Sequence, residues 1–195
     1  MADFTKRQSE IIEKSLEIIT EKGIQGLTIK NLSKSIGISE PAIYRHFESK
    51  IDILLAILKN FRANAGKMHV NNSTIEISTI KRIEAFYSMA FQNFSKNPSY
   101  VSVIFSEAIF QFDKRLSTEV YSIMNLNLEK MENIIKQGQQ KGEISKEVNS
   151  KQLALILLGS QRLMVTRWRL SDYSFDLIDE GKKLFKTMQK LISCP

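Results

Sequence analysis

The residues best suited to do chemistry are concentrated in one segment, TIKNLSKSIGISEPAIYRHFESK, which covers residues 28–50. Its hydroxyl, guanidinium, imidazole and ammonium groups can donate hydrogen bonds to phosphate oxygens. Small side chains between them let a backbone approach base edges, and a proline ring can contact a thymine methyl group. This mixture is typical of a surface that binds double-stranded DNA. The candidate DNA-binding residues are Thr28, Lys30, Ser39, Glu40, Pro41, Ala42, Tyr44, Arg45, His46 and Lys50.

Several of these candidates have a second interpretation. Thr28 either contacts phosphate or acts only as a helix N-cap, and His46 either contacts DNA or fills a packing role. Glu40 either accepts a hydrogen bond from a cytosine amino group or only complements the positive end of a helix, and we favour the second. Tyr44 is interpreted as a DNA contact, because a surface tyrosine in this setting has no other explanation. Lys50 begins a helix whose N-terminal dipole attracts phosphate.

Two short helices joined by a glycine turn are predicted to position these side chains. Thr28 can cap a helix that runs to about residue 35, and Gly37 supplies the positive φ that a tight turn requires. Ser39 is a plausible cap for the second helix. This layout is that of a helix-turn-helix, whose second helix enters the major groove near its N-terminal end. The residues available to pack the two helices together are Ile29, Leu32, Ile36, Ile38, Ile43 and Phe47.

Helical periodicity dominates the rest of the chain, and no alternating strand pattern persists. Gly23 is predicted to end the first helix, and Ser49 with Asp52 forms a capping box for the helix that follows the motif. We predict an all-α fold of about nine helices, with a DNA-binding domain over residues 1–49 and an effector-binding and dimerisation domain over residues 50–195. Outside the motif, the predicted helices cover residues 5–22, 50–66, 75–96, 98–112, 115–140, 149–170 and 174–192.

Charge and composition set limits on the partners of the protein. The chain of 195 residues has 28 Lys and Arg against 21 Asp and Glu, which gives a net charge of +7 and favours a polyanionic partner. Most of this excess lies in the last third, so charge alone does not point to the N-terminal motif. The single cysteine, Cys194, fits a reducing compartment, and no apolar run approaches a membrane span. We expect a cytoplasmic, nucleoid-associated protein that does not bind membranes.

The sequence contains few of the residue types and motifs that are typical of enzyme active sites. Two histidines and one cysteine do not supply a zinc site or a Cys–His nucleophile. Gly66 and Lys67 lack the upstream glycine loop of a phosphate-binding loop, and no strand–glycine–helix unit is present for dinucleotides. We therefore expect no enzyme activity, no catalytic residues, no metal and no cofactor.

The ordered motif from Gly26 to Leu54 resembles the signature of the tetracycline-repressor (TetR) family. The matching parts are the Leu27-Thr28 start, the Gly37-Ile38-Ser39 turn, and Ile43-Tyr44-Arg45-His46-Phe47 followed by Ser49-Lys50. The resemblance implies a homodimeric repressor that binds a palindromic operator and is released by a small, largely apolar effector of unknown identity. It also implies that the effector swings the helix at residues 50–66, which separates the two recognition helices.

Two further sets of residues are candidates for the effector pocket and the dimer seam. Aromatic and methionine side chains at helical spacing can line an adaptable pocket, although they are also typical of ordinary core. The helix at 153–170 is apolar most of the way round, so it packs either against a second copy or entirely within one subunit. The pocket candidates are Phe86, Met89, Phe105, Phe112, Met124, Gln161, Met164 and Trp168; the seam candidates are Leu155, Gly159, Leu184 and Met188.

Two alternative functions remain open. The segment from Asn97 to Leu116 is loosely similar to nucleoid-occlusion members of the same family, which bind many DNA sites and act on the cell-division machinery. A third interpretation is a small-molecule-binding protein that has lost DNA recognition. Binding to many dispersed DNA sites favours the nucleoid-occlusion function. Absence of any DNA binding favours the small-molecule-binding protein.

Overall fold

The computed structural model describes residues 4–67, 77–106 and 113–192, and helices form the framework of these ranges. The predicted all-α fold of about nine helices is confirmed for the described residues. The helices are α1 Lys6–Gly26, α2 Ile29–Ile36, α3 Glu40–Tyr44, α4 Lys50–Lys67, α5 Thr79–Lys96, α6 Pro98–Ile104, α7 Lys114–Lys141, α8 Ser150–Leu170 and α9 Leu177–Ile192.

The first helix begins as a capped helix and passes through a kink. The Thr5 side chain accepts a hydrogen bond from the Gln8 backbone N–H, and the Gln8 side chain accepts one from the Thr5 backbone N–H. Gly23 has a φ of 66° and a ψ of 177°, which interrupts the helical geometry. The prediction that Gly23 ends the first regular helix is confirmed, and the residues after this break form a short further helical segment that reaches Gly26.

The capping box predicted at the start of α4 is formed in part: the Ser49 side chain caps the helix, and the Asp52 carboxylate accepts from the Ser49 hydroxyl rather than from its backbone N–H. The Asp52 backbone N–H donates to Ser49 Oγ at 3.3 Å, and Ser49 Oγ donates to Asp52 Oδ2 at 2.6 Å. Downstream, α6 is shorter than the sequence predicts. The predicted helix over residues 98–112 ends at Ile104, and the backbone of Phe105 leaves helical geometry.

One compact unit consists of residues 1–67 and 97–122, which contain α1–α4, α6 and the first turns of α7. In this unit α6 packs against both α1 and α4. The rings of Phe61 and Tyr100 lie 5.2 Å apart between centroids, and Val101 is fully buried. Ion pairs also join α4 to the first turns of α7: Arg115 to Asp52 at 3.0 Å, and Arg62 to Glu119 at 3.5 Å.

The second compact unit consists of residues 68–96 and 123–195, which contain α5, the rest of α7, α8 and α9. The Tyr87 ring lies between Phe91 and Phe185, at centroid distances of 5.9 and 5.7 Å. Gly181 on α9 packs directly against the Phe91 ring, and a Cβ at Gly181 would overlap that ring. This close approach explains the glycine in an otherwise regular helix. The domain boundary predicted between residues 49 and 50 stays a prediction.

None of the described helices combines the length and the apolar character that a bilayer crossing requires.

Candidate nucleic-acid interface and effector site

Local hydrogen bonds fix the helix-turn-helix as the sequence predicts. Thr28 Oγ1 accepts from the Asn31 backbone N–H at 3.1 Å, which caps α2. The Asn31 amide in turn donates to the Gly26 carbonyl at 2.8 Å, so the end of α1 and the start of α2 are held together. Gly37 ends α2 with a φ of 77°, in the left-handed region. The Thr28 hydroxyl keeps its own proton free to donate, so its capping role is compatible with a phosphate contact.

The short helix α3 is anchored on one side and open on the other. Ile43 is fully buried and Phe47 is 6% exposed, whereas Tyr44 is 49% exposed. Pro41, Tyr44 and Arg45 are all exposed and lie at helical spacing on the same face. A fixed core side and an exposed polar side are the properties that a recognition helix needs.

The start of α3 agrees only in part with the sequence prediction. Ser39 is the N-cap residue, as predicted, with an extended φ of −74° and ψ of 153°. Its side chain makes no capping hydrogen bond, so the hydroxyl is available at the surface. Glu40 occupies the first turn, where a negative charge complements the helix dipole, in line with the favoured interpretation.

Exposure separates the ten predicted DNA-binding residues into two groups, all of them within the first compact unit. Ala42, His46 and Lys50 are half-buried. The residues with exposed side chains are Thr28, Lys30, Ser39, Glu40, Pro41, Tyr44 and Arg45.

Lys50 has an intramolecular partner that the sequence does not predict. Its Nζ donates to the Ile24 carbonyl at 3.0 Å, near the end of α1 just beyond the Gly23 kink. Burial lowers the pKa of Lys50 because the charged form loses solvation. One of the three ammonium donors is therefore engaged, and two remain for a phosphate. The predicted phosphate contact stays a prediction.

The interior of the second unit contains a buried polar group that sequence reasoning missed. The Tyr87 hydroxyl donates to the Leu157 carbonyl and lies 2.9 Å from Ser160 Oγ. Burial raises the pKa of Tyr87 to about 12, and the Ser160 hydrogen bond acts in the opposite direction. In the sequence Tyr87 is one aromatic among many on α5. Only the contact with α8 distinguishes it.

The predicted pocket residues differ in burial. Gln161 and Trp168 are buried, whereas Phe86, Met89 and Met164 are half-buried and Met124 is 40% exposed. Those six belong to the second unit, and Phe105 belongs to the first. Phe112 lies outside the described residues. Elsewhere in the second unit, an open depression of about 420 Å³ is lined by Ile77, Ser78, Lys141 and Glu143.

The predicted seam residues also differ in exposure. Leu155 is 52% exposed and Gly159 is exposed, whereas Leu184 and Met188 are half-buried.

Regarding metals, the described His, Cys, Asp and Glu residues form no group of three that could hold an ion.

A capped helix-turn-helix with an exposed recognition face, followed by a longer helical region, defines a DNA-binding protein of the helix-turn-helix class. Residues 11–57 match the family described as bacterial regulatory proteins, tetR family, and residues 64–192 match the YsiA-like protein C-terminal region. The chain belongs to the tetR family of regulators, with a YsiA-like C-terminal region. It is a DNA-binding transcriptional regulator.

The chain is similar in sequence to a nucleoid occlusion factor and to a fatty acid metabolism regulator. The nucleoid occlusion factor SlmA of Mannheimia succiniciproducens is 29% identical over 101 residues, which are 52% of this chain and 47% of that protein. This alignment therefore spans about half the length of that relative. The fatty acid metabolism regulator protein of Bacillus subtilis is 22% identical over 171 residues, which are 87% of each chain.

A solved structure shares the fold over nearly the whole chain. The transcriptional regulator FadR from Bacillus subtilis, in complex with stearoyl-CoA, aligns with a TM-score of 0.81 and 20% identity. The alignment covers 96% of this chain and 100% of that one. At this identity the likeness concerns the fold.

Proposed function

We propose that the protein is a dimeric repressor that binds a palindromic operator and releases it when a long-chain fatty acyl-CoA binds the second unit. The observation that carries the DNA-binding part is the exposed face of α3. Tyr44 and Arg45 lie open to solvent while Ile43 fixes the helix from behind. Two such helices, one from each protomer, would read two half-sites about one helical turn apart.

Dimerisation is supported by an apolar stripe on α8 that one chain leaves uncovered. Leu155, Leu163 and Leu170 are 52%, 61% and 72% exposed and lie at helical spacing with Gly159 between them. A glycine in the middle of a helix costs about 1 kcal/mol relative to alanine. At Gly159 a Cβ would meet no atom within 4 Å in the same chain, so close approach by a second copy accounts for it.

The half-buried seam candidates on α9 fit the same interface. Leu184, Met188 and Leu191 follow at intervals of four and three residues, and Leu191 is 74% exposed. Together with the α8 stripe they would form a four-helix seam between two protomers.

An acyl effector is supported by the composition of the second unit and by the relatives. Its half-buried Phe86, Met89 and Met164 have the apolar, adaptable side chains that are suited to line a site for a long acyl chain. The Bacillus subtilis relative is a fatty acid metabolism regulator, and its solved structure holds stearoyl-CoA. We take the same class of ligand as the effector of this chain.

The ion pairs on α7 supply a route from effector to DNA. Arg115 and Glu119, in the first turns of α7, hold Asp52 and Arg62 at both ends of the first three turns of α4. The same helix continues into the second unit. A displacement of α7 on effector binding would move α4 and, with it, the recognition helix.

The test is a selection of genomic fragments bound by the purified protein at near-physiological salt, followed by release with stearoyl-CoA. We expect a few related palindromes, and release by stearoyl-CoA but not by free CoA at the same concentration. Failure to enrich any sequence contradicts operator recognition. If specific DNA fragments are enriched but stearoyl-CoA does not release them, the acyl effector is contradicted, whereas operator binding is not.

Nucleoid occlusion is a second candidate, favoured by the 29% identity to a SlmA protein over 101 residues. In that case the same selection would recover many dispersed sites, and stearoyl-CoA would leave them bound. A few sites close to one another on the genome count against this candidate.

A further inference from the structure

The buried face of α8 is apolar except at its centre. This stripe, defined as Ala154, Leu157, Gln161, Val165 and Trp168, follows the intervals three, four, four and three that place side chains on one helical face. Gln161 is only 7% exposed, and the other residues of the stripe are aliphatic or aromatic. A polar side chain at this position needs partners, since a buried amide without them is destabilising.

Gln161 lacks one of those partners. Its Nε2 is buried and forms no hydrogen bond, and no other side-chain nitrogen or oxygen of the described residues is in this condition. The carbonyl one turn earlier, that of Leu157, already accepts from the Tyr87 hydroxyl and from Ser160 Oγ at 2.7 Å. The neighbouring acceptor is therefore occupied, and the two amide protons of Gln161 have no partner among the described residues.

We propose that Gln161 Nε2 is the group that recognises the polar end of the effector, by donating a hydrogen bond to a neutral carbonyl oxygen of an otherwise apolar ligand. An amide nitrogen only donates, so the ligand atom must be an acceptor. Leu157, Val165 and Trp168, which share the stripe with Gln161, are apolar and buried, and apolar surroundings penalise a bare carboxylate and favour an uncharged carbonyl.

This inference rests on the proposed acyl effector, and it adds the protein side chain that recognises the polar end of that effector. The thioester carbonyl of an acyl-CoA is neutral, carries acceptor lone pairs and adjoins a long apolar chain. In the free protein the unpaired Gln161 amide lowers the stability of the fold. In the complex the amide forms a hydrogen bond with the ligand, and this bond increases the affinity for the ligand.

The test compares two ligands and two proteins by equilibrium binding. The ligands are stearoyl-CoA and its thioether analogue, octadecyl-CoA, which has CH2 in place of the carbonyl. Wild type is expected to bind the thioester about tenfold more tightly than the thioether, and Gln161→Met is expected to bind both alike. The four affinities form a cycle that isolates this hydrogen bond from the rest of the interaction.

A second measurement checks the free protein. Gln161→Met, which has nearly the same size and shape, is expected to unfold at a higher temperature than wild type, because it removes an unpaired buried donor. Gln161→Leu serves the same purpose if the methionine variant fails to fold. The matched control is Gln189→Met, at an exposed position of α9 in the second unit, which should keep the thioester preference and the unfolding temperature.

The outcomes distinguish the inference from the proposed function. If wild type binds stearoyl-CoA and octadecyl-CoA equally, or if Gln161→Met keeps the tenfold preference for the thioester, Gln161 does not recognise the carbonyl. Neither of these results contradicts the proposal that an acyl-CoA is the effector. A lower unfolding temperature for both Gln161 variants means that the amide has a structural partner, and it also overturns the inference. If wild type binds neither ligand, the acyl effector fails and the inference fails with it.

Discussion

Neighbouring residues on α3 have opposite environments, and that difference assigns their roles. Ile43 is fully buried and Tyr44 is 49% exposed. Replacing Ile43 would therefore disturb the domain core, whereas a change at Tyr44 touches mainly the surface that faces a ligand. Tyr44 is thus a residue at which DNA binding can be tested separately from folding.

We predict that Tyr44→Ala weakens operator binding by about tenfold or more, in keeping with ~1–3 kcal/mol for a lost DNA contact. The unfolding temperature should change little, since half of the side chain is already exposed. Fluorescence anisotropy with a labelled operator measures the first effect, and circular dichroism measures the second.

The matched control for this change is Tyr121→Ala. Tyr121 is 66% exposed and lies on α7, outside the helix-turn-helix. It should bind the operator like wild type. Equal affinity for wild type and the Tyr44 variant would remove Tyr44 from the interface.

Helix boundaries that depend on one residue type and its near neighbours could be predicted from the sequence. The Thr28 cap, the Gly23 break, the Gly37 turn and the Ser49 cap are of this kind. The end of α6 could not be predicted, because α6 stops at Ile104 although apolar periodicity continues beyond it in the sequence.

The same limit applies to the candidate site. The exposed DNA-binding face follows from the spacing of residues within one segment. The bond between the Tyr87 hydroxyl and the Leu157 carbonyl joins positions 70 residues apart, so no local pattern predicts it. Lys50 and the Ile24 carbonyl, 26 residues apart, are the corresponding case in the first unit.

At the scale of elements, Tyr87 fastens α5 to α8, and its ionisation provides a test of that contact. The folded pKa is about 12, against about 10 for an unfolded tyrosine. The favourable contribution of the neutral phenol is therefore complete below pH 10 and declines as the pH rises from 10 towards 12.

We predict that between pH 9 and pH 11 the wild type loses about 1 kcal/mol more unfolding free energy than Tyr87→Phe does. At pH 8 the variant should itself be about 1 kcal/mol less stable, because the Leu157 carbonyl loses a donor. Urea unfolding at the three pH values measures both effects. Parallel losses in the two proteins would show that the Tyr87 hydroxyl ionises as freely when folded as when unfolded.

At the scale of the whole molecule, dimerisation can be tested at the exposed stripe of Leu155, Gly159, Leu163 and Leu170. In an isolated protomer a lysine at position 163 keeps its charge in water, so folding should be nearly unaffected. In a dimer joined through α8 the same charge would be buried without a partner, at a cost of several kcal/mol.

Leu163→Lys should therefore weaken the dimer by about a hundredfold or more while the protomer remains helical, and sedimentation velocity over a range of concentrations measures this. Operator affinity should fall in parallel, since each half-site would then be bound by a separate protomer. Tyr121→Lys introduces the same charge at a 66% exposed position on α7 and should leave the dimer intact. A Leu163 variant that sediments as a wild-type dimer would place the seam elsewhere, and the exposed leucines of α8 would then need a different partner.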